Sequence, residues 1–93
     1  MTSQHRARFD LGATVITSHA LSKLTHDDVL RALSRHVVGD WGDLCEEDHR
    51  ANERALAAGE RLLSSYRSLS GVKFWVITEW DRSTTTVLLP EDY

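Results

Sequence analysis

The stretch "RLLSSYRSLSGVKFWVITEWDRSTTTVLL", residues 61–89, decides the fold of this chain. The segments 72–79 and 84–89 are rich in β-branched and aromatic residues, which is typical of strands, and 61–66 has the length and turn-flanked position of a further strand. Short turn-forming segments separate the three. Three strands joined by short turns predict an antiparallel meander.

Two helices are predicted upstream of the meander. The first covers residues 25–38 and opens on Thr25 and Asp28, which have capping-box spacing. The second begins with Asp43 as its cap and ends at Gly59. Acidic residues crowd its first turn, where negative charge complements the positive end of a helix.

The order of these elements predicts the fold class. A short β-branched run, residues 13–17, adds a strand at one edge of the sheet. The order β-α-α-β-β-β then gives an α+β fold, with an antiparallel sheet of three to four strands and two helices packed on one face. We expect a flexible N-terminus over residues 1–8 and a single domain over residues 9–93.

Composition and charge indicate a globular domain and do not favour binding to nucleic acid or to a membrane. The chain has 93 residues, is 41% hydrophobic and 27% charged, and carries a net charge of -3. These values are ordinary for a globular domain, and the acidic balance gives no support to nucleic-acid binding. Cys45 is the only cysteine, so no intrachain disulfide is expected. With neither a secretory signal nor an apolar run of membrane-spanning length, the sequence predicts a cytoplasmic protein without a membrane partner.

The motif "GDWGD", residues 39–43, allows two interpretations. In the structural one, the glycines adopt positive φ, Asp43 caps the next helix, and Trp41 fills the gap between helices and sheet. In the functional one, Asp40, Trp41 and Asp43 form a recognition surface, since tryptophan is enriched at binding hot spots. The sequence leaves both open.

A second polar motif, "EWDRS", allows three interpretations. Asp81 and Arg82 are ordinary residues of a β-turn in the first. In the second they join Arg61 in a cluster that holds a carboxylate or phosphate, because the guanidinium fork binds both in bidentate fashion. In the third, Arg82 or Arg61 bridges to Asp40 or Asp43 and fixes the GDWGD segment to the sheet.

The sequence does not favour metal, cofactor or nucleophilic chemistry. His36, Asp40, Asp43, Cys45 and His49 are residue types that bind metals, but their spacing matches no zinc pattern. Acidic neighbours oppose activation of the Cys45 thiol. There is no phosphate-binding glycine motif and no nucleophile elbow. We therefore expect no metal and no cofactor, and lean against an enzyme.

Three segments together carry a family resemblance: "RHVVGDWGDLCEED" (35–48), "ALAAGERLLSSY" (55–66) and "WVITEWDRSTTTVLLPEDY" (75–93). They resemble a family of small, uncharacterised bacterial proteins that are often carried on plasmids and other mobile elements. The resemblance covers about residues 11–93 and implies no established activity. Trp80 stands where that family usually has a smaller residue.

These observations favour a non-enzymatic binding protein of a mobile element, whose partner is a host or defence-system protein. Its role as an inhibitor of host defence, a class that includes anti-CRISPR proteins, is implied by the resemblance alone. The binding residues expected from the two motifs are Asp40, Trp41, Asp43, Arg61, Trp80, Asp81 and Arg82.

Two other function classes remain open. The first is a ribonuclease-type toxin of a toxin-antitoxin system, in which His36, Arg61, Tyr66 and Arg82 would act at the scissile phosphate. The second is a structural module that forms a homodimer through the edge of its sheet.

Overall fold

The computed structural model describes residues 6–93 and has the predicted α+β class. Four strands form one sheet in the order β1-β4-β3-β2, so β3 and β4 are central and β1 and β2 are the edges. In chain order the elements are β1 (Ala13–Ile16), α1 (Ser18–Lys23), α2 (His26–Val37), α3 (Glu46–Ala58), β2 (Leu62–Arg67), β3 (Lys73–Thr78), β4 (Thr84–Leu88) and a final 3-10 turn (Pro90–Asp92).

The prediction of a wholly antiparallel sheet is wrong, because β1 pairs with β4 in parallel. The meander itself is antiparallel, as its short turns require. No hairpin links β1 to β4. All three helices and strands β2 and β3 lie between them in the chain, and this long crossover permits parallel pairing. The structure also has three α-helices instead of two, since Thr17 caps the additional short helix α1 by accepting from the Ala20 N–H.

One of the two predicted helix starts is correct. In α2 the Asp28 N–H donates to Thr25 Oγ1 over 3.0 Å and the Thr25 N–H donates back to Asp28 over 2.9 Å, which is the predicted capping box. Asp43 does not cap α3. Its N–H donates to the Ser65 carbonyl over 2.7 Å, and the helix starts later, after Cys45.

All three helices pack against one face of the sheet, here called the first face, while Leu21 of α1 and Leu30 of α2 stay exposed. Ala20 of α1 and Ala32 of α2 pack with Phe74, Val76 and Val87. At the other side of the same face, Ala55 of α3 packs with Leu62 and Trp41. Helix residues this small let the helices lie close to the strands.

The opposite, second face of the sheet is covered chiefly by the C-terminal turn. The Tyr93 ring lies edge-on to Trp75 with 5.8 Å between ring centroids, and the Arg61 guanidinium donates to the Tyr93 hydroxyl. Asp92 accepts from Thr17 Oγ1 over 2.8 Å, which ties this turn to the end of β1. Near β1 this face is open, and Val15 is 46% exposed.

Along the edge strand β2, the outward backbone groups of Leu63 and Ser65 are bonded within the protein. The Asn52 side chain donates to the Leu63 carbonyl over 2.6 Å and accepts from the Leu63 N–H over 3.1 Å. Two residues further, the Ser65 N–H donates to the Trp41 carbonyl and the Ser65 carbonyl accepts from the Asp43 N–H. α3 and the GDWGD segment therefore close this edge of the sheet.

We predict that Asn52→Leu lowers the free energy of unfolding by about 2 kcal/mol or more, because the Leu63 N–H and C=O lose their partners. Urea unfolding measures the change. Arg54→Leu is the control, since Arg54 is exposed on the same helix; it should shift stability by about 0.5 kcal/mol or less. Equal effects of the two substitutions would show that Asn52 does not hold the edge.

Candidate functional site

The GDWGD loop, residues 39–43, is built as part of the sheet edge. Gly39 and Gly42 have φ of +84° and +80°, in the left-handed region that favours glycine. A Cβ on Gly42 would lie 2.0 Å from the Ser65 carbonyl oxygen. Only glycine therefore allows the loop to approach β2 closely enough to make the two backbone hydrogen bonds to Ser65.

Trp41 lies inside the protein. Its side chain is 1% exposed and fills the space between Phe9, which stacks on it at 6.2 Å between centroids, and His36, which meets it edge-on at 5.7 Å. The indole Nε1–H donates to Glu53 Oε2 over 2.9 Å. The structural interpretation of Trp41 therefore fits the molecule, and in this conformation the indole cannot contact a partner.

Arg8 fixes the segment that covers Trp41. Its guanidinium donates to both carboxylate oxygens of Glu53, at 3.0 and 2.9 Å, and its N–H donates to the Val37 carbonyl. These donors, with the Trp41 indole, lower the pKa of Glu53 to about 2. The flexible N-terminus over residues 1–8 stays a prediction, and its residues 1–5 lie outside the described part of the chain.

The two aspartates of the loop differ in whether their carboxylates have a partner within the protein. Asp40 accepts from Arg35 Nε over 2.8 Å and from Arg35 Nη2 over 3.2 Å, and these donors lower the pKa of its carboxyl. Arg35 in turn lies 4.7 Å above the Tyr66 ring, and the Tyr66 hydroxyl donates to the Asp40 carbonyl. Asp43 uses its backbone N–H on Ser65, and its side chain is exposed. Asp40 thus has an internal partner for its charge, which weakens its case as a recognition residue.

The tip of the β3–β4 hairpin is fixed by backbone contacts, and Phe9 connects it to Trp41 of the GDWGD loop. Arg82 has φ of +60°, and its guanidinium donates to the carbonyls of Glu60 over 2.6 Å and Glu79 over 3.0 Å. The same guanidinium lies 5.7 Å from the Phe9 ring, which stacks on Trp41. Phe9 therefore joins the two motifs, while Arg82 makes backbone contacts in place of the predicted bridge to Asp40 or Asp43.

Arg61 does not join Asp81 and Arg82 in one cluster. Its Nε lies 3.4 Å from Glu79 Oε1, and its guanidinium contacts Tyr93 on the second face of the sheet. Arg82 is directed to Phe9 on the first face. Asp81 accepts from the Ser83 N–H over 3.1 Å, as a turn aspartate does. The predicted anion-binding cluster is therefore split between the two faces.

Trp80 is the large apolar side chain that this region presents to solvent. It is 66% exposed at the hairpin tip, between Glu79 and Asp81. The turn around it is fixed by the Arg82 N–H, which donates to the Glu79 carbonyl over 2.9 Å, and by the Asp81 carboxylate. An exposed indole on a rigid turn is the strongest recognition feature among the predicted binding residues.

A buried hydrogen-bond chain crosses the first face, and the sequence motifs gave no indication of it. Thr85 donates to the Leu11 carbonyl over 2.7 Å, so it must accept from Thr78, 2.7 Å away. Thr78 then accepts from His36 Nε2 over 2.9 Å. His36 Nδ1 is left to accept from Ser64 over 2.6 Å. The order of donors fixes one neutral tautomer of His36, with its proton on Nε2.

This chain keeps His36 uncharged. Its side chain is 0% exposed, and burial, with a smaller effect from the nearby Arg82 charge, lowers its pKa to about 4. Both ring nitrogens already have partners. The ring is therefore a structural connector between α2 and the sheet and has no access to a substrate.

The residues suggested for a ribonuclease do not converge. His36 and Tyr66 are buried at 0% and 2% exposure, and burial raises the pKa of the Tyr66 hydroxyl above its ordinary range. Arg61 and Arg82 lie toward different faces of the sheet. Over residues 6–93, no three side chains of His, Cys, Asp or Glu stand close enough together to hold a metal ion.

Comparison with protein-family models, curated proteins and solved structures found no match to this chain. The resemblance to the mobile-element family therefore remains a prediction. Within the described part of the chain, no helix combines the length and apolar character needed to cross a membrane.

We predict that Gly42→Ala destabilises the protein far more than Gly59→Ala. Both glycines have positive φ, +80° and +72°, so both substitutions carry the backbone cost of about 1 kcal/mol. A Cβ at Gly59 meets nothing within 4 Å, whereas one at Gly42 meets the Ser65 carbonyl. We expect an additional loss of about 2 kcal/mol or more for Gly42→Ala, measured by thermal and urea unfolding. Equal losses would contradict the close packing of the loop on β2.

We also predict that acid destabilises the protein through His36. Its folded pKa of about 4 lies below the ordinary 6.5, so between these values the unfolded chain binds a proton that the native protein does not. The free energy of unfolding should therefore fall by about 3 kcal/mol from pH 6.5 to pH 4. The Glu53 ion pair adds a further loss that begins as pH falls below the ordinary value of 4.5 and is complete near its folded pKa of about 2.

His36→Gln separates the two contributions. The variant should be less stable at neutral pH, but its stability should change little between pH 6.5 and pH 5, above the range in which the carboxylates titrate. If it loses as much stability as the wild type over that interval, protonation of His36 is not the cause.

Proposed function

We propose that this chain is a small non-enzymatic protein-binding module that docks through the hairpin tip carrying Trp80. The observation that supports this most directly is the exposure of the Trp80 indole, 66%, on a turn held by hydrogen bonds. The other indole of the two motifs, Trp41, is 1% exposed and has its N–H bonded to Glu53. Recognition is thereby assigned to the hairpin tip, and the GDWGD loop serves as its support.

The rigidity of the tip favours tight docking. Binding a partner costs conformational entropy when loops and side chains must be ordered, and a preformed turn reduces that cost. Three contacts preform this one: the Arg82 N–H to the Glu79 carbonyl, the Arg82 guanidinium to the Glu60 carbonyl, and the Ser83 N–H to the Asp81 carboxylate. The indole is then free to insert while the backbone keeps its shape.

The charge around the tip indicates the chemistry of the partner. Asp81 follows Trp80 with an exposed side chain, and the backbone carbonyl of Glu60 accepts from the Arg82 guanidinium, whereas the Glu79 carboxylate already lies 3.4 Å from Arg61 Nε. The pKa of the Asp81 carboxyl is lowered, first by the side chain of Ser83, so it is ionised at neutral pH. The nearby arginines donate to groups of the protein itself. The surface therefore suits a partner with an apolar pocket and a basic rim.

The biological setting of this proposal rests on the resemblance. A mobile element, a host or defence-system protein as partner and a counter-defence role all come from it, whereas the cytoplasmic location is the expectation from the sequence itself. The non-enzymatic part rests on the burial of His36 and Tyr66, two residues that the sequence offered for catalysis. The internal partners of His36 and Tyr66 support it against the toxin alternative.

Affinity capture with a matched pair of variants tests the proposal. Trp80→Ala removes the indole at the hairpin tip, and Leu69→Ala removes an equally prominent apolar side chain, 81% exposed, in the β2–β3 turn. We expect a bacterial protein that is enriched on the wild type and on Leu69→Ala, and is reduced at least tenfold on Trp80→Ala. Rising salt should weaken the interaction of the purified pair, because the rims are oppositely charged.

Circular dichroism should show that Trp80→Ala keeps the wild-type fold, because Trp80 is exposed. A partner bound equally by Trp80→Ala and by the wild type would contradict docking through the tip. The absence of any protein enriched over an unrelated control domain would contradict the proposal as a whole.

A further inference from the structure

We infer that the free edge of β1 pairs with β1 of a second copy of this chain, in antiparallel orientation, to form a two-fold symmetric dimer with one continuous sheet. This inference does not depend on the Trp80 surface. It rests on the backbone groups of β1, on the contrast with the other edge of the sheet, and on the residues along the strand.

Within residues 6–93, the backbone of β1 is paired with a strand on one of its two sides. The N–H groups of Ala13 and Thr17 donate to the carbonyls of Ser83 and Val87 in β4 and its flank, over 2.9 and 3.0 Å. Successive residues of a strand direct their backbone groups to opposite sides. Thr14 and Ile16 therefore direct their N–H and C=O groups away from β4, and no strand of the described chain lies on that side.

The two edges of the sheet differ in whether other parts of the described chain bond their outward backbone groups. At β2, Asn52 satisfies both backbone groups of Leu63, and the GDWGD loop satisfies both of Ser65. At β1, the sequence Ala-Thr-Val-Ile contains no proline, no lysine and no inward-pointing charge, which are the usual devices that prevent strands from pairing at an edge. Three of its four residues are β-branched and suited to a paired strand.

Antiparallel pairing about a two-fold axis at Val15 gives a hydrogen-bond partner to each outward N–H and C=O group of Thr14 and Ile16. Thr14 then faces Ile16 of the second copy, and Ile16 faces Thr14, so the four outward N–H and C=O groups of each strand bond to their counterparts. Val15 meets its own copy in a non-hydrogen-bonded pair, where side chains approach most closely. Val15 is 46% exposed on the open second face and is free to make this contact.

The charge pattern favours a second copy as the occupant. Residues 11–18, "LGATVITS", contain no charged side chain, so two copies can approach here without repulsion despite the net charge of -3. A strand paired with itself about Val15 also places β-branched residues opposite one another at positions 14, 15 and 16, which stabilises cross-strand pairs. An acidic or basic peptide would find no complementary charge on this strand.

Sedimentation equilibrium across a hundredfold range of concentration tests the inference. We expect the wild-type chain to convert from monomer to dimer, and Val15→Lys to weaken association at least tenfold, because two ammonium groups would meet at the axis. Val15→Thr, which keeps a β-branched residue, should associate like the wild type, as should Trp80→Ala. A wild-type chain that stays monomeric throughout overturns the inference.

Disulfide trapping gives a second measurement that does not depend on the folding of Val15→Lys. Cys45, the free and exposed thiol, is first replaced by serine. In that background Val15→Cys should give a covalent dimer on mild oxidation, because the two side chains meet at the axis. Thr86→Cys is the register control: Thr86 pairs with Val15 on the same face but lies one strand inward, and it should stay monomeric. Failure of Val15→Cys to crosslink, or equal crosslinking of Thr86→Cys, would overturn the proposed pairing.

Discussion

The structure depends on the close approach of Gly42 to Ser65. This contact lets the GDWGD loop lie against the edge strand β2 and exchange two hydrogen bonds with its backbone. Once the loop is held there, Trp41 must point inward, between Phe9 and His36. A side chain at position 42 would separate loop and strand, so one missing Cβ determines the position of the largest side chain in the core.

That placement determines which residues remain for recognition. Trp41 is buried and Asp40 is paired to Arg35. The GDWGD loop therefore stabilises the interior of the protein and leaves recognition to other residues. Phe9 connects this loop to the hairpin tip, because it stacks on Trp41 and also contacts the Arg82 guanidinium. Arg82 in turn fixes the tip. Trp80 is thus displayed by a turn that the core holds in place, and this arrangement is the physical basis of the proposed docking surface.

Local patterns predicted local structure well, and long-range relations poorly. The meander and the Thr25–Asp28 capping box follow from turn lengths and from spacing within a few residues, and both were correct. The direction of β1 depends on a crossover through the whole chain, which no local pattern encodes. Asp43 has the composition of a helix cap, but its N–H is taken by Ser65, a residue distant in sequence. The polar chain from His36 could have been suspected only from threonines and serines at inward positions of the strands.

Native-state hydrogen exchange of the indole protons tests the central claim most directly, because the two tryptophans have opposite roles in it. We predict that the Nε1–H of Trp41, which is bonded to Glu53 and covered by Phe9, exchanges only through global or near-global unfolding. The Nε1–H of Trp80 should exchange almost as fast as in an unfolded chain. If the Trp41 proton exchanges as readily as that of Trp80, the GDWGD loop is not the internal support described here, and the assignment of recognition to the hairpin tip loses its basis.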